Sequence, residues 1–215
     1  MTAKLILCDL GNTLIRFEHQ RAAAAALKFL LTHPGRLHRG IPQPDALFRF
    51  VFGPREDGPS RNVLLEIGQR DTDWLVDELN AEMGIQFTVQ EFEAIWNSIF
   101  TSAIPEMFEA MRDVRKRGIR VALCSNTTRS HWEWLLGKFP ELEDFQAERF
   151  LSYEMGVTKT QPGFFEKILE HTRLEPEELL FIDDLEENLA PARGLGIRVL
   201  RFSGQVPDLA LFSRS

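Results

Sequence analysis

Five runs of four to six mostly apolar residues punctuate this chain, and each stops at a polar or glycine turn. They are KLILC (residues 4–8), RVALC (120–124), RFLSY (149–153), LLFI (179–182) and IRVLRF (197–202). Runs this short do not make a stable helix, and their apolar residues do not alternate with polar ones. They are therefore read as strands buried on both faces. Helical periodicity fills the gaps between the last four, with Trp132, Leu135, Leu136 and Phe139 on one face and Phe164, Phe165, Ile168 and Leu169 on another. Strands alternating with helices predict an α/β fold, a Rossmann-like doubly wound parallel sheet.

Between Leu14 and Thr101 the alternation lapses, and no strand pattern is evident. Helices are expected near residues 21–31, 44–52, 60–68 and 71–83, with a Pro/Gly-rich connector over 33–44. A last helix opens with the capping box Thr88–Glu91 and carries Phe92, Ile95, Trp96 and Ile99 on one face. The expected organisation is a core of residues 1–15 plus 101–215, interrupted by an all-helical cap of residues 16–100. The alanine run 22–26 is a strong helix former, and there are no internal repeats.

The net charge of −7 over 215 residues, with no basic block longer than Arg115–Arg117, argues against a nucleic-acid partner. No stretch has the length of a membrane span, and the residues before Asp9 are too few for a signal peptide, so a cytoplasmic location is expected. Cys8 and Cys124 lack disulfide or zinc spacing and read as buried thiols. Asn126-Thr127-Thr128 matches a glycosylation sequon, read as coincidence in a chain without a signal. Nothing in the sequence speaks to oligomeric state.

In a doubly wound sheet, ligands bind beyond the carboxyl ends of the strands. The residues there are Asp9 to Thr13, Ser125-Asn126, Lys159 and Asp183-Asp184. Asp9, Asp183 and Asp184 on one sheet edge would repel one another and destabilise the fold unless a cation lay among them. Carboxylate oxygens suit Mg²⁺. Thr13 and Ser125 offer hydroxyls and Lys159 a positive charge, so the set suits a phosphate, with Asp9 as candidate nucleophile. Singly, each has a plainer reading as a turn or cap residue: Asp183-Asp184 could cap a helix beginning near Asn188, with Pro191 in its first turn. Capping accounts for one acid, not two. His19, Arg36, His38 and Arg39 read as a solvated basic loop, or as contacts to a leaving group.

These residues resemble the haloacid dehalogenase (HAD) superfamily. Asp9-Leu10-Gly11-Asn12-Thr13 resembles its first motif, which implies a nucleophile at Asp9. Cys124-Ser125-Asn126 resembles the second, which binds the phosphoryl group. Gly156-Val157-Thr158-Lys159 resembles the third, whose lysine steadies phosphate and nucleophile. The stretch from Phe181 to Asn188 resembles the acidic fourth, implying Mg²⁺ held by Asp183 and Asp184 with Asp9 and the Gly11 carbonyl. The ordered set is far more specific than any one motif.

Four positions depart from the pattern. The second acid of motif one is Gly11, followed by Asn12 in place of glycine; Thr160 replaces a proline, and Asn188 a later acid. A subgroup with DLGN at motif one resembles this chain, and the resemblance implies that it includes working sugar-phosphate phosphatases. The expected function is a Mg²⁺-dependent phosphatase of a small phosphorylated metabolite, acting through an aspartyl-phosphate and without the usual general acid. A metal-independent 2-haloacid dehalogenase is the alternative enzyme, but its fourth motif resembles Ser-Ser-Asn rather than an acid pair. A non-catalytic binding protein of the same fold is the third reading.

Overall fold

The computed structural model describes residues 3–38 and 42–209. The chain starts with β1 (Leu5–Cys8), then forms β2 (Ile15–Phe17), α1 (His19–Thr32), α2 (Pro44–Phe52), α3 (Arg61–Glu66), α4 (Thr72–Met83) and α5 (Val89–Trp96). It continues through β3 (Phe100–Ala103), α6 (Pro105–Lys116), β4 (Arg120–Ser125), α7 (Arg129–Lys138), β5 (Arg149–Leu151) and α8 (Ser152–Met155). The last elements are α9 (Pro162–Thr172), β6 (Leu179–Asp183), α10 (Glu186–Gly194) and β7 (Arg198–Arg201).

Five parallel strands pair in the order β5-β4-β1-β6-β7. The chain builds outward from β1 on one side, then returns to build on the other, which creates the switch point beside β1. Side chains of β1 alternate between two apolar layers. Ile6 and Cys8 pack with Met107, Phe108, Trp132 and Leu135, whereas Leu5 and Leu7 pack with Phe164, Phe165 and Leu189. Burial on both faces explains why the central strands β1, β4 and β6 read as nearly continuous apolar runs.

A third apolar cluster lies before β3, where Leu30, Val51, Leu75, Leu79, Phe92 and Trp96 of the helices meet Ile85 and Phe87 of the α4–α5 connection. Its helices start as their sequences direct. Ser60 accepts from the Val63 amide, Asp71 from the Trp74 amide, and Thr88 and Glu91 close a reciprocal capping box. Gly84, in the left-handed region with φ 65°, ends α4.

Four expectations change. The stretch 14–101 is not free of strands: β2 and β3 pair antiparallel where the chain leaves and re-enters the core, Ile15 opposite Ala103. Strands of three and four residues are too short to print a pattern, and pairing alone defines them. The run 149–153 is a strand only to Leu151, because Ser152 turns into α8 and bonds the Thr127 amide and carbonyl. Helix α10 begins at Glu186, which places Pro191 inside it rather than in its first turn. Helix α6, unread in the sequence, opens at Pro105 and buries Met107, Phe108, Met111 and Val114. Arg39 lies outside the described residues, and among those described no helix is long and apolar enough to cross a membrane.

Candidate active site

The strand register assembles the site. Cys8 of β1 lies level with Leu123 of β4 and Ile182 of β6, so the next residues out, Asp9, Cys124 and Asp183, reach the same edge together. The Asp9 amide continues the ladder by donating to the Ile182 carbonyl at 2.9 Å.

Lys159 lies at the centre. It is 1% exposed, and its Nζ donates to Asp9 Oδ1 at 2.5 Å, to Asp183 Oδ2 at 2.6 Å and to the Cys124 carbonyl at 3.3 Å. Asn126 fixes the backbone there, because its Oδ1 accepts from the Lys159 amide at 2.8 Å. The cation expected among the acids is thus supplied in part by the chain itself. Burial opposes a charge on Lys159, yet the flanking carboxylates of Asp9 and Asp183 hold its ammonium well above the usual value. One lysine cannot neutralise two buried carboxylates. Asp9 is pushed up to about 7 by burial, with Lys159 opposing and Asp183 reinforcing the shift.

Asp183 has little capacity left. Its Oδ1 accepts from the Leu185 amide at 2.8 Å, and the Asn188 amide group donates to both oxygens at 3.0 and 3.1 Å. Asp183 thus binds the backbone just ahead of α10 without capping it, since Leu185 is the N-cap residue and no side chain caps that helix, and Asn188 supplies donors that an acid at its position could not. Asp184 is half-buried and raised by burial and by Asp183, with Lys159 and the Asn12 side chain among the opposing influences. Asn12 adopts φ 52°, a left-handed conformation that asparagine tolerates, and its Oδ1 also accepts from the Phe17 amide at 3.1 Å.

Oxygens of Asp9, Asp183 and Asp184 all lie within 4.8 Å of one another. Three acids against one lysine leave excess negative charge, and all the donors are hard oxygens. That set fits a divalent cation such as Mg²⁺. Asp9, Gly11, Ser125, Asn126, Lys159 and Asp184 also line one cavity of about 650 Å³ that extends under the helices before β3. Ser125 is 3% exposed, with its hydroxyl directed at the Asn126 carbonyl. Thr13 stands apart: it is fully buried, its hydroxyl has no partner, and it is not part of the cavity wall.

The space beside Gly11 is filled. A Cβ there would meet the Phe17 ring at 2.6 Å, and that ring packs edge-on against His19 and Phe100. An aspartate at position 11 therefore requires the ring to move.

Two further groups on the wall escaped the sequence reading. His131 stacks on Trp96, and burial first, then His19, lower it to about 3, so it stays neutral. Glu66, at the end of α3, is raised by burial against the Asn62 hydrogen bond and the charge of Lys159. Its placement depends on Gly68, whose φ is 67° and whose Cβ would lie 2.4 Å from the Tyr153 carbonyl. Only glycine lets the end of α3 lie so close to α8. The signal for Glu66 is present in the sequence: one acid inside the apolar run 63–67, much as Asp9 follows one.

A doubly wound sheet with a lysine-bridged acid cluster at its carboxyl edge, facing a cavity also lined by the helices before β3, defines an α/β enzyme. A family model for haloacid dehalogenase-like hydrolases matches residues 3–196, and the chain belongs to that family. It is similar to a D-ribitol-5-phosphate phosphatase of Bacteroides thetaiotaomicron, 27% identical over 210 residues covering 92% of this chain and 91% of that protein. A HAD family enzyme of the same bacterium superposes with TM-score 0.81 at 25% identity over the full length of both chains. Its complex with magnesium and inorganic phosphate gives TM-score 0.78 at 26% identity, covering 98% of this chain and 99% of that one. An L-2-haloacid dehalogenase of Xanthobacter autotrophicus gives TM-score 0.59 at 16% identity, covering 98% and 81%, a likeness of fold alone.

Proposed function

We propose that this hydrolase is a Mg²⁺-dependent phosphomonoesterase that works through an aspartyl-phosphate on Asp9. The observation that carries the reading is Lys159 bridging Asp9 and Asp183 beside Asp184. Asp9, Asp184 and the Gly11 carbonyl would hold Mg²⁺, while Asp183 adds charge and holds Lys159. Mg²⁺, when bound, offsets the charge on the phosphoryl oxygens. Lys159 aligns the Asp9 carboxylate and neutralises charge, and Ser125 and Asn126 bind the phosphoryl group. Asp9 attacks phosphorus as the ester oxygen departs with a proton, and water then attacks phosphorus to release phosphate and restore Asp9. The helices of the proposed cap, residues 16–100, exclude bulk water during these steps. The similarity to the ribitol-phosphate phosphatase and the DLGN motif support a sugar or polyol phosphate; the cavity supports another leaving group, argued below.

The test is phosphate release from a panel of phosphomonoesters with Mg²⁺ or with EDTA. Turnover is expected only with Mg²⁺. Equal turnover in EDTA, or chloride release from a 2-chloro acid with no phosphate release, overturns the proposal.

With Phe17 occupying the space beside Gly11, the departing oxygen needs a proton from elsewhere. Burial keeps His131 and His19 toward the neutral form, whereas it favours the protonated, donating form of Glu66. Glu66→Gln is expected to slow alkyl phosphates by roughly 10²- to 10⁴-fold and aryl phosphates far less, since a good leaving group needs little protonation. A general acid works while protonated, so parent activity should fall as pH rises through the raised Glu66 pKa. That limb should vanish in the variant. Equal losses on both substrate types would remove Glu66 from the proton path.

A further inference from the structure

We infer that the leaving group is an apolar alcohol, so that the substrates are monophosphate esters of hydrocarbon chains rather than of polyols. This rests on the phosphomonoesterase reading and names its substrate class. The cavity holding Asp9 and Lys159 runs on under the helices, where its wall is made by Leu30, Val51, Phe52, Leu79, Phe92 and Trp96. Among the described residues 16–99 of that wall, only His19, Asn62 and Glu66 carry a polar side chain other than the indole of Trp96. Asn62 is already bonded to Glu66, and His19 is wedged edge-on between the Phe17 and Phe52 rings.

A polyol placed there would bury most of its hydroxyls against carbon, with Glu66, His131 and the unpartnered Trp96 indole N–H the few groups left on that side to meet them. A hydrocarbon chain loses nothing and gains burial. The room is made by the alanine run of α1, in which Ala22, Ala23 and Ala26 face the cavity where longer side chains would fill it. The apolar surface continues to the outside, because Leu27 and Phe48 line the cavity while 42% and 56% exposed. A polar catalytic end joined to an apolar tunnel with an apolar rim matches a molecule with a phosphate head and a hydrocarbon tail.

The test measures kcat/KM with Mg²⁺ for methyl, butyl and octyl phosphate beside glycerol 3-phosphate and ribitol 5-phosphate. Each methylene buried should raise kcat/KM by roughly two- to fourfold, so octyl phosphate should exceed both polyol phosphates by orders of magnitude. Ala22→Phe should make the rise stop at a shorter chain. Replacing Leu27 and Phe48 together by serine should weaken octyl phosphate more than butyl phosphate. Calorimetric binding of methyl- and octylphosphonate, which cannot be hydrolysed, reads the tunnel without turnover. Polyol phosphates matching or exceeding octyl phosphate would overturn the inference and leave the phosphatase reading standing. Hydrolysis of none of the esters, with octylphosphonate still bound more tightly than methylphosphonate, would support the apolar occupant and sink the phosphatase reading. Equal affinity for the two phosphonates overturns the inference by itself.

Discussion

Asp9→Asn is expected to lower kcat on every phosphomonoester by on the order of 10⁴-fold or more, with the fold intact. The amide keeps the shape and can still accept from Lys159 through its oxygen, but it cannot form the bond to phosphorus. Asp9 is 4% exposed, and burial already disfavours its charge. Removing that charge should therefore leave the metal-free melting temperature equal or higher. The parent should also form an acid-stable, hydroxylamine-sensitive phosphorylated species on rapid quenching, as an acyl phosphate does, and the variant should form none. Asp9→Asn retaining activity within a few-fold of the parent would remove Asp9 as nucleophile. Lost activity together with a lower melting temperature would instead mark it as structural.

The sheet was legible because its central strands β1, β4 and β6 are buried almost throughout and so appear as nearly continuous apolar runs that end in polar residues. Strand-end position is also what brought Asp9, Ser125, Asp183 and Asp184 into one reading, since register carries the neighbours of β1 to the same edge, whereas Lys159 reaches them from the segment between α8 and α9. The short ribbon of β2 and β3 left no trace, because its residues are strands only by virtue of each other. Nor could the sequence reveal that Phe17 fills the space beside Gly11. That depends on where the chain turns after Asn12, whose left-handed conformation sends the backbone back toward the site. Glu66 shows locally as a lone acid inside an apolar run, but its place at the site does not. Its neighbourhood is set by contact between α3 and α8, which no local pattern encodes.

Lys159→Met is expected to be the most destabilising change at the site. The side chain is fully enclosed, and its loss strands Asp9 and Asp183 without a countercharge. Breaking one side of a buried pair typically costs about 3–5 kcal/mol, which for a chain of this length corresponds to roughly 6–20 °C in melting temperature. The loss should depend on pH with a definite sign. In the parent, without metal, Asp9 is raised to about 7 from the ordinary carboxylate range, so between the two the folded state binds the extra proton and stability declines as pH rises. Removing Lys159, which opposes that shift, moves the Asp9 pKa higher still. Stability of the variant in EDTA should therefore keep falling above pH 7, where this contribution has levelled off in the parent, and the gap should narrow in acid. Added Mg²⁺ should raise the melting temperature of Lys159→Met more than that of the parent, because a divalent cation restores part of the missing charge. Combining Lys159→Met with Asp183→Asn should cost less than the sum of the two changes, since the second removes a charge the first left unpaired. Strict additivity, or a Lys159→Met protein that melts with the parent across pH 6–9 in EDTA, would show that the bridge between the two carboxylates contributes nothing to the fold.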